Sequence, residues 1–229
     1  MIMVAIFVVL MFVCLVLIDL GLVKWHAWRA SKKTQNAIVP AATTAMGEWC
    51  PLPEGVLLAG GHTWLKPDPT GGIEVGADAF LAHAFGVVDR IVLPKPGDEV
   101  RAGQPLFRLE AQGRSVAVPA SFDGRVVAVN SRLPEHREWV RSDPYSKGWV
   151  CYLNGKPSDA KRLPSGERAI RWLEGEFSRL REFLSLQLSP VSTVGLTAQD
   201  GGMPAAGCLR GLDAAGWEAF QAEFLQHGN

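Results

Sequence analysis

Cysteine is too thinly spread in this chain to build anything with. The four residues, Cys14, Cys50, Cys151 and Cys208, form no C-x-x-C pair, which excludes a disulfide framework, a thiolate zinc site and a dithiol redox motif, and suits a reducing compartment. An excess of either charge is also missing: 23 basic and 23 acidic residues alternate without blocks, which argues against a nucleic-acid surface, so no nucleic acid is expected as a partner. The histidines, His26, His62, His83, His136 and His227, show no H-E-x-x-H or H-x-x-x-H spacing, and no metal site is expected. No G-x-S-x-G, P-loop or G-x-G-x-x-G pattern occurs, so no catalytic residue is assigned and the chain is not expected to be an enzyme. Lysine, finally, is absent from the whole stretch between Lys95 and Lys147.

What is present begins with an apolar run. Residues 2 to 18, "IMVAIFVVLMFVCLVLI", extend through "DLGLV" to about 22 residues, enough to cross a hydrocarbon core of roughly 30 Å. No basic residue precedes the run and no A-x-A site follows it, so it reads as an anchor rather than a cleaved leader. Lys24, Arg29, Lys32 and Lys33 follow it, and the positive-inside rule then leaves the bulk of the chain on the cytoplasmic side. The expectation is a single-pass membrane protein with a transmembrane helix over 1–23. Asp19 reads as a residue reaching for the interface, and Trp25 and Trp28 as an aromatic belt.

Residues 24–52 are polar and alanine-rich without periodicity, as a tether would be. From Pro53 to about residue 155 the texture is that of short strands. "GIEVGAD", "RIVLP", "PLFRLEA", "RSVAVPA" and "GRVVAVN" are apolar runs bounded by Gly, Pro or Asp, which predicts an all-β module. The segment from Gly86 echoes the one from Gly124, each running glycine, valine-rich strand, proline-containing turn and closing strand, which suggests a quasi-two-fold sandwich.

Residues 156–229 carry helix signals. Ser165 after Pro164 is a candidate N-cap with Glu167 in the first turn, and Ile170, Leu173, Phe177, Leu180 and Leu184 recur at spacings of three and four. They predict an amphipathic helix of about 20 residues. A second, shorter helix is expected in "DAAGWEAFQAEFL", capped by Asp213, with Trp217, Phe220 and Phe224 on one face. Both stripes are expected to pack on the β module or on each other, the alternative being a partner-binding face.

The β module resembles the H protein of the glycine cleavage system, a relative of lipoyl domains. The likeness lies in the His-x-Trp element (His62, Trp64), the Val75-Gly76 strand end, the Leu93-Pro94-x-x-Gly97 turn, "GRVVAVN" and "DPYSKGWVCYL". It covers roughly residues 56 to 153. The resemblance implies a mainly β, lipoyl-type barrel-sandwich hybrid, here with an N-terminal transmembrane helix and two C-terminal amphipathic helices. It also implies a carrier whose hairpin-tip lysine, three residues after a glutamate, bears lipoate in amide linkage. Here Glu110 is followed by "AQG", and Gly113 occupies the expected lipoyl-lysine position. Arg114 beside it stays protonated and cannot be acylated in the lysine's place, so no cofactor is expected.

Three readings compete. One is a membrane-anchored, non-catalytic binding or scaffolding protein on the H-protein fold, unlipoylated, with a protein partner the residues do not name. A second is a carrier using an unorthodox lysine, Lys95 or Lys147. A third, a transport adaptor of the membrane-fusion type, is opposed by the basic flank after the apolar run and by the lack of heptads before residue 165.

Overall fold

The computed structural model describes residues 52–69, 71–155, 162–187 and 203–226. Among the described residues there are nine strands, and the five alternating runs of the sequence become β3, β4, β6, β7 and β8. β1 (Leu57–Ala59), β2 (Thr63–Pro67) and β3 (Gly72–Ala77) form a meander. β4 (Arg90–Val92) and β5 (Glu99–Val100) are short, β6 (Pro105–Ala111) and β7 (Arg114–Pro119) make a hairpin, and β8 (Gly124–Val129) and β9 (Cys151–Gly155) close the module. The strands build two antiparallel sheets, one ordered β1-β2-β3-β9-β8-β5 and one ordered β4-β6-β7. Along the hairpin, Phe107, Leu109, Val116 and Val118 are buried while Arg108 points out, the period-two pattern of a sheet with one wet face.

The internal echo has a structural counterpart: β4 pairs with β6 and β8 pairs with β9, both antiparallel. The two pairs belong to different sheets, so the halves repeat as strand pairs and pack as a sandwich. The fold is mainly β, and the strands form two separate sheets, with no closed barrel among the described residues.

Between β3 and β4 lies α1 (Ala79–Phe85), buried along its whole length. Asp78 caps it, its carboxylate accepting from the Leu81 N–H at 2.9 Å, which satisfies one of the orphan donors of a helix start. Gly86 ends it at φ +84°, and a Cβ there would lie 2.7 Å from the Gly207 Cα. Glycine is needed for both reasons. A short α2 (Trp139–Ser142) precedes the "PY-x-x-GW" turn. In that turn the Asn130 side-chain amide donates to the Lys147 and Trp149 carbonyls, each at 2.9 Å.

The long helix α3 (Glu167–Gln187) buries Ala169, Leu173, Glu176, Phe177, Leu180, Phe183 and Leu184. That is the expected stripe, widened by Phe183 and Glu176, with Ile170 only half-buried. Ser165 differs from expectation. It pairs with Leu57 in an isolated bridge, and Gly166 at φ +53° turns the chain into the helix. Tail residues 203–226 form a 3-10 turn at Cys208–Gly211, α4 (Ala214–Phe220) and one wide turn at Gln221–Leu225. Asp213 caps α4 as expected, accepting from the Gly216 N–H at 2.7 Å.

Both C-terminal stripes pack back onto the β module. Phe80 of α1 lies 5.0 Å from Phe177 and 5.6 Å from Phe224, and Phe220 lies 5.1 Å from Phe224, ring centre to ring centre. The core is therefore one cluster running from Val56 to Leu225.

The expected single-pass membrane protein with a cytoplasmic domain requires correction. No helix among the described residues is long and apolar enough to cross a membrane. Glu, Arg and Ser occupy the outer face of α3 and its apolar stripe is spent on the core. The run over 2–23 and the tether over 24–51 lie outside the described residues.

Candidate functional site

The hairpin β6–β7 is the feature on which the sequence argument turned. Its two strands face each other in register to the end, Glu110 opposite Ser115 and Ala111 opposite Arg114, which leaves a two-residue loop. Gln112 at φ +50° and Gly113 at φ +76° fill it. Positive φ at both central residues is the type I′ turn whose twist matches the strands it joins. Glycine suits the second position, and Gln112 is held in the first by Asp89, whose carboxylate accepts from the Gln112 N–H at 2.7 Å.

Gly113 is at the apex. A Cβ built on it would meet nothing within 4 Å, so a side chain there would stand free in solvent, as an arm-bearing residue must. No amine is available at this point. The lipoyl group implied by the fold needs one to form its amide, and the residues of the tip do not fit it. Glu110 is present and reaches across to β4, 3.6 Å from the guanidinium of Arg90 opposite it, in a largely exposed ion pair. Such a pair adds little to stability.

Arg114 is committed elsewhere. Its guanidinium donates to the Leu209 carbonyl at 3.4 Å and to the Leu212 carbonyl, and it lies 5.1 Å from the centre of the Trp217 ring. A small cavity of about 40 Å³ between Gln112, Phe85, Arg210 and Trp217 marks the seam between tip and tail.

The two alternative lysines are far less specialised. Lys95 sits exposed in the β4–β5 turn, where its backbone N–H donates to the Asp98 carboxylate at 2.9 Å. Lys147 is exposed beside Trp139, 5.9 Å from the ring centre. Neither stands at a hairpin apex.

The histidines part company. His136 stacks on Trp139 with centroids 4.1 Å apart, and His26 and His227 lie outside the described residues. His83 is buried on α1 and its Nε2 is 2.7 Å from the Pro204 carbonyl, while burial pulls its pKa below the usual value. No group of His, Cys, Asp or Glu able to hold a metal is found among the described residues.

His62 lies one residue before β2 and is buried. Its backbone takes φ +60° in the turn between β1 and β2, and its ring stacks on Phe80 at 3.9 Å. Nδ1 lies 2.9 Å from the Asp78 carboxylate and Nε2 lies 3.7 Å from that of Glu176. Glu176 is held by Arg179 at 2.8 Å, and Arg179 reaches Glu223 at 3.6 Å. A polar chain therefore runs through the junction of β module, α3 and tail. Its members come from four separate segments, so spacing held no signal for it.

A groove of about 540 Å³ lies between α1 and the turn after α2, lined by His83, Arg141, Asp143 and Tyr145 among others. Tyr145 accepts from the Ala79 N–H at 3.2 Å, a contact that ties the "PY" turn to the start of α1.

Comparison with known proteins places about half of the chain beside one family. The family model described as glycine cleavage H-protein matches residues 57–175, which extends past the β module into α3. Glycine cleavage system H protein 2 of Aquifex aeolicus is 31% identical over 122 residues, 52% of this chain and 74% of that protein. A glycine cleavage system H protein of Listeria monocytogenes is 32% identical over 117 residues, 51% of this chain and 93% of that one. A solved H protein from Mycobacterium marinum is 23% identical with a TM-score of 0.47, covering 54% of this chain and 99% of that one.

Proposed function

Because the chain belongs to the glycine cleavage H-protein family, we propose that it is a non-catalytic binding module on the carrier fold, recognised by a protein partner and carrying no lipoyl group at its hairpin. The observation that supports this is the apex itself. The turn is formed in full, with Glu110 in place, yet its exposed residues are Gln112 and Gly113. A carrier's amide needs a nucleophilic amine on a flexible stem, which lysine alone supplies. The following Arg114 is protonated and engaged with Leu209 and Leu212.

What such a module offers a partner is the outer surface of the sandwich and the exposed tip of the hairpin at Gln112 and Gly113. Binding through a preformed surface of this kind carries little ordering cost.

A second reading has family membership in its favour, since the relatives bear the name of glycine cleavage system H proteins. On it the chain is an H-protein-type carrier whose modified lysine is Lys95 or Lys147, both exposed. Intact mass of the full chain after co-expression with a lipoate ligase and lipoate separates the two. An unmodified mass is expected. A lipoyl adduct mapping to either lysine replaces the first reading with the second.

A further inference from the structure

We infer that the tail, Met203–Gln226, is a brace that pins the hairpin tip and closes one flank of the hairpin to any protein that would have to enclose it. The inference rests on the reading of the tip as non-carrying and adds a second, independent obstacle to modification.

The tail meets the hairpin near both ends of β7. At the tip, Arg114 spans to the Leu209 and Leu212 carbonyls and stacks against Trp217. Lysine at 114 would keep the charge and lose the planar fork that reaches two acceptors at once. At the base, Gly61 is wedged between Pro119 and the Leu225 carbonyl, where an added Cβ would lie 2.4 and 3.2 Å from them. A groove lined by Ala117, Pro119, Gln221 and Leu225 opens beside the base.

The tail is in turn held by the body of the module. The His83 carbonyl accepts from the Gly207 N–H at 2.8 Å, and Phe220, Phe224 and Leu225 are buried in the core. The brace is thus anchored at both ends and is not a loose strand lying over the surface.

An enzyme that acylates a hairpin lysine must bring its acyl donor to about 3–3.5 Å from the amine. To do so it has to take up the turn together with residues on either side. Here one of those sides is occupied by Leu209, Leu212 and Trp217. Arg114 is accordingly a positioning residue for the tip.

The test uses the full chain. Gly113→Lys supplies the missing amine in open space, and lipoate ligase with lipoate and ATP provides the acyl adenylate, from which the amine displaces AMP with loss of a proton. Gly113→Lys alone should gain lipoyl mass slowly, and Gly113→Lys with Arg114→Ala and Trp217→Ala about tenfold faster. Equal rates in the two backgrounds, or no label in either, would overturn the brace. Hydrogen exchange gives a readout that needs no ligase. Arg114→Ala should speed exchange of the amides from Gln112 to Ser115 while those of Val116 and Val118 stay protected, and unchanged exchange at the tip also overturns it. Peptide mapping separates these outcomes from a lipoyl adduct on Lys95 or Lys147 of the unsubstituted chain, which removes the non-carrier reading and leaves the brace standing.

Discussion

Cys151 and Cys208 are fully buried, and burial pushes each thiol up to about 12. A thiolate is the reactive form of cysteine, so neither should react with an alkylating reagent near neutral pH in the native chain, and both should react once denaturant unfolds it. Labelling of either in the native state, followed by mass spectrometry, would contradict the burial. His62 is the costlier residue to lose. Its ring fills a fully buried site against Phe80, and without it the Asp78 carboxylate keeps only its cap to Leu81. Leaving a buried acceptor short of a partner costs about 1–3 kcal/mol, so His62→Ala should lower the unfolding free energy from denaturant titration by at least about 1 kcal/mol. His83 contributes a pH dependence of definite sign. Its folded pKa is lowered, chiefly by burial, so below about pH 6.5, the ordinary value, the unfolded chain binds a proton that the folded chain resists. Stability should therefore fall as pH drops through that range, and His83→Gln, which keeps a donor for the Pro204 carbonyl, should flatten the slope in urea titrations between pH 5 and 7.

Among the elements, the strands were the most legible. "PLFRLEA" and "RSVAVPA" are long enough to show alternation, and they became β6 and β7 within a residue of the expected ends. β1 and β5, three and two residues long, are too short for a period to exist, and only their partners in the sheet define them. α3 announced itself by its stripe because a helix that packs on a core repeats its apolar side chains every three or four positions. Its start was less legible. Ser165 has the chemistry of a cap, but Leu57 sits opposite it in a bridge, and a contact more than a hundred positions away leaves no local mark. The stripe should carry its weight in stability. Phe177→Ala removes a ring lying against Phe80 and His83, and a truncation of that size in a core costs about 3–5 kcal/mol. A loss well under 2 kcal/mol in equilibrium unfolding would mean that α3 docks only loosely. Gly86→Ala should be damaging for a different reason, because the new methyl would meet the Gly207 backbone and the αL-side φ would be strained.

At the scale of the whole molecule, the sandwich, the hairpin and the C-terminal helices share one core, and the family match ends at residue 175, part way along α3. The tail that follows is joined to the module by buried rings and by Arg114. Removing it should therefore do more than shorten the chain. A version ending after α3 would expose Phe80 and the outer side of β7, and should bind a hydrophobic dye that the full chain does not. Absence of such binding would show that the tail is not needed to cover the core. The amino-acid order by itself determined the strand-rich module, the amphipathic helices and the lack of any lysine between Lys95 and Lys147, because alternation, helical spacing and composition are all local properties of the chain. The tertiary structure alone decided that Asp78, His62 and Glu176 meet in the core and run out through Arg179 to Glu223 at the surface, and that Arg114 ties the tip to Leu209 and Leu212. Those contacts join segments far apart in sequence, and the free energy that selects them comes from burying groups together, which no window along the sequence contains.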